Sequence, residues 1–432
     1  MFLLSKRGLL LLLPVLMLII SCGGDLNDNT VVLAVGGAPS EIDFWEKTAS
    51  ECEEKTGIKL QLIRQPTDTD QRRQNLVTSL RARKSTPDIF LMDVAWIAQF
   101  AASEWLEPLE PYMKKHNLPV ESFFEPVVRQ ADTYNDKLIA LPVYVDGGLL
   151  YYRKDLLQKY GYSGPPATWD ELVSCALKIT EEERKKNRNF TGFVWQGAQY
   201  EGLVCNFLEF ASSNNGGIVL SESQPVFDTE QNRKAVKFMR DLIHTHKLSP
   251  SNTYTNMKEE EVRLVFQNGN ALFERNWPYA WKIHQASDSP VKNKTGVSLL
   301  PHFEGGKPAA ALGGWHIGLS RFSKNKENAF TCIDYILSSE VQTEFVTSLG
   351  WNSGRVDIYD NVEVQKTIPH AEILKNVFRH AVTRPLVPHY SYMSSVLQRY
   401  LNAVMAGRME LDKAFTECES ELGKIVSQYS NQ

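Results

Sequence analysis

Two polar side chains, the phenol of Tyr144 and the carboxylate of Asp146, stand at a break between the apolar runs of the stretch KLIALPVYVDGGLLYYRKD, from Lys137 to Asp155. Neither has a charge partner close by in the sequence. Pro142 holds Leu141 extended, and Gly147-Gly148 lets the backbone turn or approach another group closely. Either the chain crosses here between two lobes and hands Tyr144 and Asp146 to a cleft, or the glycines close a hairpin with a solvated aspartate. Taken alone, the stretch favours the hairpin. Other groups of the same chemistry precede it: Glu41 after Gly36-Gly37, Thr69 and a guanidinium (Arg72 or Arg73) in the segment from Pro66, and Asp93 after an apolar run. Carboxylates, a hydroxyl and a guanidinium suit a neutral polyhydroxylated ligand, whose hydroxyl groups both donate and accept. Singly, each reads equally well as a helix cap or half of a surface ion pair.

The elements that position these groups follow from punctuation and periodicity. Val31 to Val35 is a strand running into Gly36-Gly37. A helix opens at Pro39 or Ser40, carries Ile42, Trp45, Ala49 and Cys52 at helical spacing, and is closed by Gly57. Lys59 to Ile63 is the next strand, and a helix capped by Asp70 runs through Arg83 with Leu76, Val77 and Leu80 inward. Ile89 to Met92 is a third strand, with Asp93 at its end. This β-α-β-α-β order predicts a parallel, doubly wound sheet. Such sheets bind ligands outside the carboxyl ends of their strands, where Glu41, the Pro66–Arg73 segment and Asp93 all fall. Gly36-Gly37 lacks the GxGxxG spacing of a dinucleotide site.

Further along, Thr168 to Glu171 forms a capping box for a helix bearing Leu172, Ala176 and Ile179. Phe193 to Trp195 and Ala271 to Phe273 read as strands, with aromatic-rich or amphipathic helices around Val204–Ala211, Val236–Ile243 and Val262–Phe266. Thr295–Pro301 and Ala311–Gly318 read as returning strands, and Ser391–Ser427 as helix with one Gly break.

At 432 residues the chain exceeds one ordinary core and predicts two lobes. Its 43% hydrophobic and 23% charged residues describe a globular protein, and nine Trp make a carbohydrate or other flat-ligand site worth considering. There is no basic excess, which argues against nucleic acid. The dispersed histidines give a metal enzyme no support, and no cofactor is expected. Lys6 and Arg7 precede an apolar run, Gly8 to Ile20, too short for a comfortable membrane span. It ends Ile19-Ile20-Ser21-Cys22-Gly23, which resembles a bacterial lipobox. Residues 1–22 are therefore expected to be a lipoprotein signal peptide with Cys22 lipidated, and 23–30 a polar tether. Removing Lys6 and Arg7 takes 47 basic residues to 45 against 51 acidic, a net charge of −6. Cys52, Cys175, Cys205, Cys332 and Cys418 are scattered singly, without zinc-site spacing. One exported pair could form a disulfide, and the sequence does not choose it.

Several stretches together resemble the extracellular solute-binding proteins of ABC importers, in the trehalose/maltose-binding branch. They are AVGGAPSEIDFW, PTDTDQRRQNLV, DIFLMDVAW, LPVYVDGGLLYYRKDLL, GFVWQGAQYEGLVC, FERNWPYAW, LGGWHIG and GWNSGRVD, in order along nearly the whole mature chain. The resemblance implies a two-lobed α/β fold of the type II-like binding-protein kind. Two doubly wound sheets are joined by crossing strands, with a helical C-terminus. Crossings are implied near Ala140, Leu300 and Gly350. Residues 31–140 plus 301–349 would form lobe 1, and 141–300 plus 350–432 lobe 2. The implied ligand residues are Glu41, Thr69, Arg73, Asp93, Tyr144, Asp146, Trp277, Gly313, Trp315 and Arg384. The three acids would accept from sugar hydroxyls, Arg73 and Arg384 would donate, Tyr144, Trp277 and Trp315 would face the pyranose, and Gly313 would offer its N–H. Arg73 is taken over Arg72 and Thr69 over Thr67. The implied partners are a disaccharide and a permease, with membrane attachment only through the anchor on the exported face, and the chain is expected to be a monomer.

Two other classes compete. A secreted glycoside hydrolase could use two of Glu41, Asp93 and Asp146, although they follow no hydrolase motif and a nearby arginine would depress a proton donor. A sugar chemoreceptor would bind without serving a permease.

Overall fold

Val31, Val32, Leu33, Ala34 and Val35 are all buried, the pattern of a strand covered on both faces. The computed structural model describes residues 29–37, 39–221 and 224–430. The expected signal peptide, Cys22 and the tether up to residue 28 lie outside the described residues.

The strands that build the fold are β1 (Thr30–Gly36), β2 (Lys59–Gln65), β3 (Ile89–Asp93), β4 (Leu141–Gly147), β5 (Leu149–Arg153), β6 (Thr191–Val194), β7 (Ala271–Asn276), β8 (Thr295–Ser298), β9 (Ala310–Leu319) and β10 (Ala381–Val382). They form two sheets. The first runs β10-β9-β3-β1-β2, with β4 also paired to β9. Its β1, β2 and β3 are parallel, and β9 is antiparallel to β3 and β4. The second runs β8-β5-β7-β6, with β5 antiparallel to both neighbours and β7 parallel to β6. The protein is thus a two-lobed α/β fold whose sheets are both mixed. Each sheet has its own apolar core. The first gathers Leu33, Trp45, Phe90, Phe100 and Phe345, the second Trp169, Phe193, Phe207, Phe210 and Phe415. A smaller cluster, including Leu149, Phe266, Val346 and Val377, spans chain segments from both sides.

The first two helices are α1 (Pro39–Thr56) and α2 (Thr69–Arg81). α1 buries Trp45, Ala49 and Cys52 of the expected stripe together with Phe44 and Thr48, while Ile42 is half-buried. α2 departs from expectation at both ends. Asp68, not Asp70, is the cap, its side chain accepting from the Gln71 N–H at 3.0 Å, because Thr69 and Asp70 are already helical. The helix stops before Arg83, which adopts φ 51°.

The expected first crossing at Leu141-Pro142 is not where the chain changes sheets. β4 continues through Tyr144 and Asp146 to Gly147, its backbone hydrogen-bonded to β9, and the transfer to the second sheet falls between Gly147 and Leu149. Pro142 near the strand's start removes only one ladder donor. The hairpin reading fails as well, since β4 and β5 pair with different strands. The segment after Gly350 likewise stays on the first sheet for several residues. The Val145 N–H donates to Asn352 O at 2.9 Å and the Gly354 N–H to Val143 O at 3.1 Å. Gly148 is needed for close approach: a Cβ there would collide with the Glu209 carboxylate and lie 2.8 Å from Arg275 Nη2.

Candidate functional site

Strand register assembles the site. Trp315 on β9 stands opposite Asp93 on β3 and Tyr144 on β4, and Gly313 stands opposite Asp146. Residues two apart on a strand share a face, so the first sheet presents these five groups as one patch. Trp315 is 9% exposed. The edge of Trp96 meets it at 5.2 Å and 84°, and the Arg72 guanidinium lies 4.3 Å from the centroid of its ring. Arg72 is fixed by donating from Nε to Pro66 O at 2.6 Å. Glu41, 2% exposed, lies beside it on the first turn of α1 and accepts from Trp45 Nε1 at 3.5 Å. Gly37 makes room with φ 141°, since a Cβ there would run into the Glu41 carboxylate.

The second sheet contributes Trp277, directly after β7. Its indole is partly exposed, donates to Glu259 Oε1 at 3.5 Å, and has the Arg275 guanidinium 3.9 Å from its ring centroid. Trp277 also lies against Gly313, where a Cβ would sit 3.1 Å from its Cζ3. Arg275 is in turn paired with Glu209, both buried, through Nε at 2.7 Å. Arg384, 3% exposed, bridges the lobes: Nη2 lies 2.9 Å from Asp93 Oδ1 and Nη1 3.1 Å from Glu201 Oε1. Among the described residues its Nε has no hydrogen-bond partner.

The sequence pattern of the bacterial extracellular solute-binding proteins matches residues 38–343. A curated relative from Deinococcus radiodurans, named "Probable ABC transporter-binding protein", is 35% identical over 92% of this chain and 93% of its own length. The chain belongs to the bacterial extracellular solute-binding protein family. Another relative, the arabinooligosaccharide-binding protein of Bacillus subtilis, is 25% identical over 74% of this chain and 71% of its own. Among solved structures, that of maltose-bound T. maritima MalE3 is similar with a TM-score of 0.85 and 38% identity, covering 91% of this chain and 98% of that one. No helix among the described residues is long and apolar enough to cross a membrane.

In this solute-binding protein, eight of the ten expected ligand residues converge on the junction: Glu41, Asp93, Tyr144, Asp146, Trp277, Gly313, Trp315 and Arg384. Thr69 stands half-buried at the start of α2. Arg73 turns aside and donates to Gln99 Oε1 at 2.9 Å; its neighbour Arg72 takes the place beside Glu41 and Trp315. Arg72 shares the buried face of α2 with Leu76 and Leu80, at steps of four residues, and that periodicity was the available signal. Glu201, Glu209, Glu259 and Arg275 were also missed. Arg275 is two residues from Trp277 along an extended segment, which points both the same way; nothing local marks the three glutamates.

Burial raises three acids of the cluster, Glu41, Asp146 and Glu259. It pushes the Glu41 carboxyl up to about 7, with Arg72 and the Trp45 N–H pulling the other way. Burial likewise raises Asp146 to about 7; Asp93 and Glu41 add to the shift and Arg275 opposes it. Glu259 is raised by burial too. Asp93 has a cation in contact, whereas among the described residues the Asp146 carboxylate has no hydrogen-bonding partner.

Proposed function

We propose that the protein is the substrate-binding subunit of an ABC sugar importer, anchored outside the cell by a lipid on Cys22. It binds a disaccharide of the trehalose or maltose type between its lobes, closes by a hinge motion and delivers the sugar to the permease as a monomer. The observation that carries this reading is the junction itself: carboxylates, guanidinium groups and two indoles, drawn from both sheets. Glu41, Asp93 and Asp146 accept from hydroxyls, and Arg72 and Arg384 donate, with Arg73 and Thr69 at the margin. Charged partners make the stronger hydrogen bonds to a neutral sugar. Trp277 and Trp315 offer aromatic faces to the pyranose and Gly313 its N–H, while Tyr144, whose buried ring stacks on Phe345 and meets Trp351, backs the site from the core. That MalE3 is bound to maltose supports the ligand class, as does the name of the arabinooligosaccharide-binding relative.

Calorimetry against maltose, trehalose, sucrose and longer glucans tests the reading. Stoichiometric binding without products is the expected result. Trp315→Ala should weaken it by about 2–4 kcal/mol, the scale of a buried aromatic anchor. Because Trp315 also packs on Trp96, Trp315→Phe serves as the folded control. The glycoside hydrolase alternative draws on Glu41 and Asp146, whose raised carboxyls suit a proton donor; sustained release of glucose would establish it and overturn the receptor.

A further inference from the structure

Two of the five scattered thiols meet in the fold. Cys52 near the end of α1 and Cys332 in the helix Lys326–Ile336 are separated by 280 positions in sequence, yet their sulfurs lie 3.6 Å apart. Both side chains are fully buried within the first core. Cys175, Cys205 and Cys418 are also buried. A disulfide needs its sulfurs at about 2.05 Å, so the Cys52 and Cys332 sulfurs would close by about 1.5 Å. We propose that Cys52 and Cys332 form a structural disulfide in the exported protein. Export rests on the function proposed above; the juxtaposition of the thiols does not.

The position gives the bond a purpose. The first lobe is discontinuous: the chain leaves it after β4, builds the second sheet, and returns as β9 and the helices that follow. Cys52 belongs to the outgoing part and Cys332 to the returning part. A covalent link between them closes the first lobe on itself and leaves the crossings untouched. Constraining so long a loop is where a cross-link restricts the unfolded chain most. Cys52 lies eleven positions beyond Glu41 on the same helix, about 16 Å along its axis, so the bond stands clear of the carboxylate cluster.

The chemistry is thiol–disulfide exchange with an external disulfide, from a protein oxidant or from oxidised glutathione. One cysteine thiolate attacks a sulfur of that disulfide and expels its first thiol. The other thiolate then attacks the mixed disulfide and expels the second. Two cysteine thiols are oxidised and one external disulfide is reduced to two thiols. Because both sulfurs are inaccessible once the lobe is packed, exchange occurs while the returning segment docks.

The test is to refold the reduced full-length chain in a glutathione redox buffer, block free thiols in denaturant, and map the peptides. The expected result is a linked peptide pair containing Cys52 and Cys332, with Cys175, Cys205 and Cys418 alkylated. Alkylation of both Cys52 and Cys332, or a link to a different cysteine, overturns the proposal. Cys52→Ser and Cys332→Ser should each lower the thermal midpoint by several degrees, abolish its sensitivity to reductant, and not add when combined. Sugar affinity measured on the same material should stay constant. Loss of sugar binding with the link intact would count against the function alone, and an absent link with binding intact against the disulfide alone.

Discussion

A carboxyl group held near neutral pH makes binding a proton-linked event. Glu41 moves from 4.5 to about 7 on folding, so between those values the folded protein keeps a proton that the unfolded chain has released. The empty protein therefore loses stability as pH rises through that window, by about 3 kcal/mol from this group. Chemical denaturation of the sugar-free protein between pH 5 and 8 reads this directly. Sugar hydroxyls donate to the ionised form, so binding favours ionisation, releases protons below pH 7, and tightens from pH 6 to pH 8. Asp146→Asn removes one acceptor of this kind. It should weaken binding roughly 10- to 100-fold at pH 8, the value of hydrogen bonds to a charged group, and should flatten the pH dependence. An unaltered pH profile in calorimetry would place Asp146 outside the site.

At the scale of elements, helix ends face each other across the junction. Asp68, the cap of α2, forms an ion pair at 2.7 Å with Lys258, the cap residue of the helix Glu259–Gln267. The two side chains are 24% and 40% exposed, so the pair is worth up to about 1 kcal/mol. It joins a first-sheet helix to a second-sheet one. Lys258→Ala should speed sugar release several-fold in stopped-flow experiments, and Asp68→Asn, which keeps a capping side chain, should do the same without adding to it. Additive effects would show that the two residues act separately. The sequence carried much of this level: the order of β1 to β3, the stripe of α1, and the capping box at Thr168 and Glu171. Local spacing did not reveal that Asp68 rather than Asp70 caps α2, because both are capping residues two positions apart. Nor did it place the chain's transfer between sheets. β4 looked interrupted at Tyr144 because its pairing partner, β9, lies far away in the sequence. Ion pairs such as Arg275–Glu209 and Arg384–Glu201 are equally non-local, and only the assembled lobes bring them together.

For the whole molecule, two separate cores and a shared junction define how binding and motion are coupled. Each sheet has its own apolar interior, with a smaller cluster shared between them; in the function proposed above the lobes rotate as bodies while the chain bends where it changes sheets. A ligand held by both can shift the open–closed balance only by what it gains in contacts with the second lobe. Maltose or trehalose should therefore reduce the radius of gyration in small-angle scattering, and disrupting the second-lobe side of the junction should abolish that compaction before it abolishes binding. The same separation confines a cross-link between Cys52 and Cys332 to one body.

Trp277 and Trp315 each carry a guanidinium on one ring face, at 3.9 Å and 4.3 Å. A sugar pressed against either indole displaces water and changes its polarity, while the other seven tryptophans form a constant background. The protein accordingly has a built-in optical reporter. Intrinsic emission excited at the indole band should shift to shorter wavelength on titration with sugar and saturate with the calorimetric constant. The shift should shrink in Trp277→Phe or Trp315→Phe, which would give the transport cycle a label-free signal.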